Sequence, residues 1–121
     1  MATLSEILQR VSATADFASA PATNACSVGL FGNTPLHVAA TWGDCEAISS
    51  LVHAGADLNK RAEHGFTPLM EAVAQGHQDA ALLLVSLGAL PIRNDDGFLP
   101  NQYASISGHP ELAVILLQHG S

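Results

Sequence analysis

Apolar residues recur along this chain in short helical stripes separated by glycine-bearing turns. Leu36, Ala39 and Ala40 follow Thr34-Pro35 at steps of three and four, the spacing that puts side chains on one face of a helix. Thr34 suits the N-cap, where its hydroxyl accepts from an otherwise orphaned backbone N–H. Pro35 then falls at the first helical position, where its missing N–H costs nothing. Gly43 ends the stripe in the left-handed conformation that glycine adopts cheaply. A second stripe, Ile48, Leu51 and Val52, predicts a helix from about Cys45 to Ala54, closed by Gly55. Near the N-terminus Leu4, Ile7, Leu8 and Val11 predict an amphipathic helix over residues 3 to 14 or so. The stretch Ala18 to Ser27, rich in Ala, Ser, Thr and Pro, reads as a loop.

The stripes repeat. Thr34-Pro35-Leu36-His37 recurs 33 residues on as Thr67-Pro68-Leu69-Met70, and more weakly 32 residues later as Leu99-Pro100-Asn101-Gln102. Glycines hold the same register: Gly32, Gly65 and Gly97, then Gly43, Gly76 and Gly108, then Gly55, Gly88 and Gly120. Second-helix counterparts are Ala81, Leu84 and Val85, then Ala113, Leu116 and Leu117. Such a period is the signature of a solenoid. Thr34-Pro35-Leu36-His37-Val38-Ala39 resembles the ankyrin repeat signature, and Leu51 to Asn59 is similar to the family's second helix and the start of its hairpin.

The resemblance runs from Leu30 to Ser121, about three-quarters of the chain. It implies an all-α fold: an ankyrin-repeat solenoid of helix–turn–helix units joined by hairpin loops, here with an N-terminal capping helix. The expected organisation is 1–29 as capping helix and loop and 30–121 as the repeat domain, with repeats at 32–64, 65–96 and 97–121. The third repeat departs from the pattern. It has Leu99 for the capping Thr, Asn101 for a core Leu, and a hairpin one residue shorter that carries Pro91. A distorted hairpin and a terminal capping repeat are expected there.

Composition narrows the function. Four basic residues, Arg10, Lys60, Arg61 and Arg93, stand against eleven acids, a net charge of -7. Nucleic-acid binding needs cations to displace phosphate counterions, so it is disfavoured; a locally basic protein partner suits the charge better. The longest apolar stretch, Ala80 to Ile92, is broken by Ser86, Gly88 and Pro91 and is too short for the roughly 20 residues of a membrane span. Residues 1 to 10 lack the basic and apolar regions of a signal peptide. Two cysteines without C-x-x-C spacing read as reduced thiols. A cytoplasmic protein, monomeric when free, is expected.

Catalytic signals are absent. There is no G-x-S-x-G elbow, P-loop or G-x-G-x-x-G. His37, His53, His64, His77, His109 and His119 include no pair at helical ligand spacing. The resemblance gives His37, His77 and His109 structural roles, and Cys45 a place in the core. The expectation is therefore no enzyme, no cofactor and no metal. The alternative kept open is an enzyme or metal-dependent factor with an unrecognised site.

What the resemblance implies instead is a protein-binding module, a small adaptor or stoichiometric inhibitor, with toxin-neutralising immunity proteins as the narrower case. Family members bind through a concave face of hairpin tips and first helices. By register that face takes Val38, Trp42, Glu71, Gln75 and Tyr103 from the helices, and Lys60, Arg61, His64, Phe66, Arg93, Asp95 and Phe98 from the hairpins. These include the only Trp, the only Tyr and three of the four basic residues, the types that dominate interface energetics. The ordinary alternative is that Phe66 and Phe98 pack between hairpins and Trp42 covers the adjacent glycine.

Overall fold

A computed structural model describes residues 3–14, 17 and 22–120. Among the described residues seven α-helices follow one another: α1 (Leu4–Ser12), α2 (Pro35–Trp42), α3 (Cys45–His53), α4 (Pro68–Ala74), α5 (Gln78–Ser86), α6 (Pro100–Ile106) and α7 (Pro110–Gln118). Among the described residues there is no strand. Helices α2, α4 and α6 pack side by side in one row, and each packs on the helix that follows it. In the second row α3 packs on α5.

The caps follow the sequence. Thr34 Oγ1 accepts from His37 N at 3.4 Å, and Thr67 Oγ1 from Met70 N at 3.3 Å. Leu99 has no side-chain oxygen to offer; instead Gln102 Oε1 accepts from Leu99 N at 2.9 Å. First helices end alike: Asp44 N reaches back to Ala39 O, His77 N to Ala72 O and His109 N to Ala104 O, at 2.9–3.1 Å. These bonds bracket left-handed glycines, Gly43 at φ 69° and Gly76 at φ 73°, the C-terminal closure that glycine makes cheap.

Three equivalent tips join the repeats. Gly29 N donates to Asn33 O at 2.7 Å, Ala62 N to Phe66 O at 2.8 Å and Asn94 N to Phe98 O at 3.0 Å. The third is altered where the sequence predicts. Pro91 sits inside a three-residue turn in which Ile92 N donates to Leu90 O at 3.0 Å. The first two tips carry consecutive left-handed residues, Phe31-Gly32 and His64-Gly65, whereas the third uses Gly97 alone. Asn94 takes over the turn: its Oδ1 accepts from Asp96 N and Phe98 N at 3.0 and 3.1 Å.

One core runs through the stack. Leu36, Ile48, Leu51, Leu69, Leu84 and Leu116 are fully buried. Helix α1 adds Ile7, Leu8 and Val11 and packs on both α2 and α3. It therefore stands against α3 much as α3 stands against α5. The third repeat, expected to act as a terminal cap, mixes polar and apolar side chains on its surface. Ser105 takes the register position of the buried Ala40 and Val73, yet Ile106, Val114 and Leu117 are exposed.

Candidate functional site

Histidines stitch the first two repeats together. Thr34 N donates to His37 Nδ1 at 3.1 Å, which leaves Nε2 as the protonated nitrogen, donating to Phe66 O at 2.9 Å. His37 is thus a buried neutral ring holding the second hairpin. His77 Nε2 bonds to Thr41 O at 2.9 Å, and its ring lies against Gly43. Among the described residues no group of three or more His, Cys, Asp or Glu is placed to hold a metal. Cys26 and Cys45 are free thiols. Burial first, then the Asp79 and Asp44 carboxylates, push the Cys45 thiol above its ordinary range, the opposite of what a nucleophile needs.

The twelve residues expected on the concave face fall into three groups and some outliers. His64, Phe66 and Tyr103 form an edge-to-face run, with centroids 6.4 and 5.2 Å apart, that crosses from the second tip to α6. Arg61 Nη2 meets Asp95 Oδ1 at 2.8 Å and joins the second tip to the third. Trp42 and Glu71 share a pocket of about 250 Å³ with Thr41 and His37. Lys60 and Gln75 are exposed, and Phe98 is half-buried. Arg93 turns inward to its own hairpin, donating to Gly97 O at 2.7 Å.

Val38 departs from the expectation. The register places it correctly beside Thr41 and Trp42, and all three line the same pocket. But α1 and α4 both pack on α2, and Val38 keeps only 5% of its surface. It belongs to the core and offers a partner little to touch.

Two residues escaped the sequence reading. Phe31 sits at the first tip with φ 63° and is 58% exposed, a costly conformation for a bulky side chain. Its pairing with Gly32, one period before His64-Gly65, was the available signal. Arg10 entered the sequence reading only as one of the four basic residues. Its guanidinium lies 4.6 Å from the centre of the Trp42 ring and 3.0 Å from Asp44 Oδ2. The stacking is long-range, and no local pattern announces it.

With this geometry in place, comparison with known proteins is direct. The family model described as ankyrin repeats in three copies matches residues 5–95 and 61–121. The chain belongs to the ankyrin repeat family. The first match begins within α1, where the Thr-Pro-Leu-His signature is absent. Among relatives, protein phosphatase 1 regulatory subunit 27 of Homo sapiens is 45% identical over 66 residues, covering 54% of this chain and 43% of that protein. The ADP-ribosylation factor GTPase-activating protein AGD4 of Arabidopsis thaliana is 43% identical over 67 residues, 55% of this chain and 9% of that protein. The probable 26S proteasome regulatory subunit p28 of Saccharomyces cerevisiae is 45% identical over 56 residues, 46% of this chain and 25% of that protein. The matched segments span less than half the length of each of these relatives. Ankyrin repeats bind other proteins, and the family is typically non-enzymatic. No described helix is long and apolar enough to cross a membrane.

Proposed function

We propose that this chain is a non-enzymatic protein-binding module, a small adaptor or stoichiometric inhibitor that engages a partner protein through its concave face. The observation that carries the reading is the run His64–Phe66–Tyr103, which links the second tip to α6. It lies on the tips-and-first-helices face where Arg61 and Asp95 join neighbouring tips. Aromatic and arginine side chains gathered on one face are the composition of interface hot spots. Two of the relatives are named as regulatory subunits, which supports a stoichiometric role.

The net charge of -7 favours a locally basic partner over nucleic acid or an anionic membrane surface. In this reading the chain is a monomer in the cytoplasm that occludes its partner. Neutralisation of a toxin is the narrower form of that role, and a toxin encoded beside the gene is where to look for it. The full face as proposed comprises Trp42, Lys60, Arg61, His64, Phe66, Glu71, Gln75, Arg93, Asp95, Phe98 and Tyr103, together with Phe31.

A pull-down from the native source tests it, with the intact chain and a Phe31→Ala/His64→Ala/Tyr103→Ala variant as parallel baits. A protein held by the intact chain and lost by the folded variant supports the concave face. Equal retention by both moves the site elsewhere on the molecule. Retention of nothing by either bait removes the support for a binding role.

A further inference from the structure

The two ends of the stack are finished differently. At the N-terminal end α1 buries Ile7, Leu8 and Val11 and turns Ser5, Glu6 and Gln9 to water. That is how a terminal element of a solenoid stays soluble. At the other end Ile106, Val114 and Leu117 are 57–67% exposed. Val114 and Leu117 stand three residues apart on α7 and share a face, and Ile106 belongs to α6, which packs on α7.

The repeat register gives these positions a meaning. Ile106 corresponds to Thr41, whose Oγ1 lies 3.4 Å from Glu71 Oε2 in the next repeat. Leu117 corresponds to Val52 and Val85, which pack against the core. Ser105 corresponds to Ala40 and Val73, both fully buried. The α6–α7 end thus continues the surface that meets another helix pair at each earlier junction. Among the described residues nothing covers it.

Charge and symmetry select the occupant. From Gly97 to Gly120 the only charged side chain is Glu111. A chain of net charge -7 repels its own copy over most of its surface, and least where charge is missing. Charge depletion is also what marks the core of an interface. A head-to-tail contact would set Ile106 and Leu117 against the polar side of α1. A face-to-face contact sets apolar against apolar and closes after two copies.

We infer that two copies of this chain pair through their α6–α7 ends, related by a two-fold axis. The inference goes beyond the concave-face reading, whose free monomer becomes the dilute form of a reversible pair.

Sedimentation equilibrium of the full chain tests it. The mass should rise from that of one chain toward that of two, and stop there, between about 1 and 500 μM. Leu117→Glu places a charge in the contact and should weaken pairing at least about ten-fold. Circular dichroism and thermal unfolding check that this variant folds; if it does not, Ile106→Glu makes the same test from α6. Val28→Glu, at a side chain 57% exposed before the first tip, should leave pairing unchanged. Raising salt from about 0.05 to 0.5 M should strengthen the pair, because it screens like charge. A single-chain mass throughout, growth beyond two chains, or weakening by salt overturns the inference. So does pairing that folded Leu117→Glu and Ile106→Glu retain, or that Val28→Glu loses. A chain that never pairs, but whose pull-down partner is lost by folded Leu117→Glu, overturns the pair and assigns this end to that partner.

Discussion

Gly43 and Asp44 concentrate several constraints in two residues. At Gly43 the backbone is left-handed, with φ 69°, and a Cβ would come within 2.6 Å of the His77 ring. Gly43→Ala is expected to cost more than about 1 kcal/mol, because backbone strain adds to displacement of a ring that bonds Thr41 O; urea denaturation measures it. Asp44 N-caps α3, its Oδ1 accepting from Ala47 N at 3.1 Å. That backbone bond outweighs partial burial and, with Arg10 helping, holds the carboxyl below its ordinary value. A depressed carboxyl stabilises the fold above its unfolded pKa of about 4, and the contribution is lost as pH falls through the folded value. Asp44→Ala should therefore cost about 1 kcal/mol at pH 7, with the gap to the wild type narrowing below pH 4 in parallel unfolding curves. The caps at Thr34, Thr67 and Asp44 were open to a sequence reading because capping is decided within four residues. The burial of Val38 was not, because it depends on α1, which lies some thirty residues away.

Among the elements α1 is the informative one. Its pattern of Leu4, Ile7, Leu8 and Val11 predicted a helix, and the helix forms over Leu4–Ser12 with Thr3 as its cap. What the pattern could not convey is that α1 relates to α3 as a second helix relates to its neighbour, a long-range arrangement without the repeat signature. Ile7 is fully buried there, so Ile7→Ala is expected to cost about 2–5 kcal/mol. A thermal unfolding curve unchanged by that substitution would show α1 to be an appendage, not part of the core. The third tip illustrates the converse. One deleted residue and Pro91 announced an irregular hairpin, but its particular solution, Asn94 bonding both Asp96 N and Phe98 N, is a choice among local conformations that spacing alone does not make.

At the scale of the whole molecule the fold was legible because a solenoid is a sum of local contacts with one period. The site was less so: register proposes a face, but it does not say which of its side chains are sunk or paired. Arg93 closes on its own hairpin and Arg61 on Asp95, so two of the three cations on the face are already engaged. A chain of net charge -7 meeting a basic partner should associate faster and more tightly at low ionic strength. Association rates measured between about 0.05 and 0.5 M salt should fall as screening grows. A flat profile would point to a partner without complementary charge.

The stitching histidines are not shared evenly. His37 and His77 bind repeat one to repeat two, whereas Met70 stands where a second His37 would be. The second junction relies on more exposed bonds: Asn59 Oδ1 accepting from Leu90 N, and Asp95 N donating to His64 O, both at 2.9 Å. It also contains Asn94 Nδ2, a buried amide without a hydrogen-bond partner among the described residues. Cooperativity in such a stack is only as strong as its weakest junction. Opening should therefore travel in one direction, α6 and α7 loosening while α2 to α5 stay closed. In amide hydrogen exchange, protection would descend in a step after residue 90, giving the stack a firm half and a yielding half that can settle against a partner after first contact.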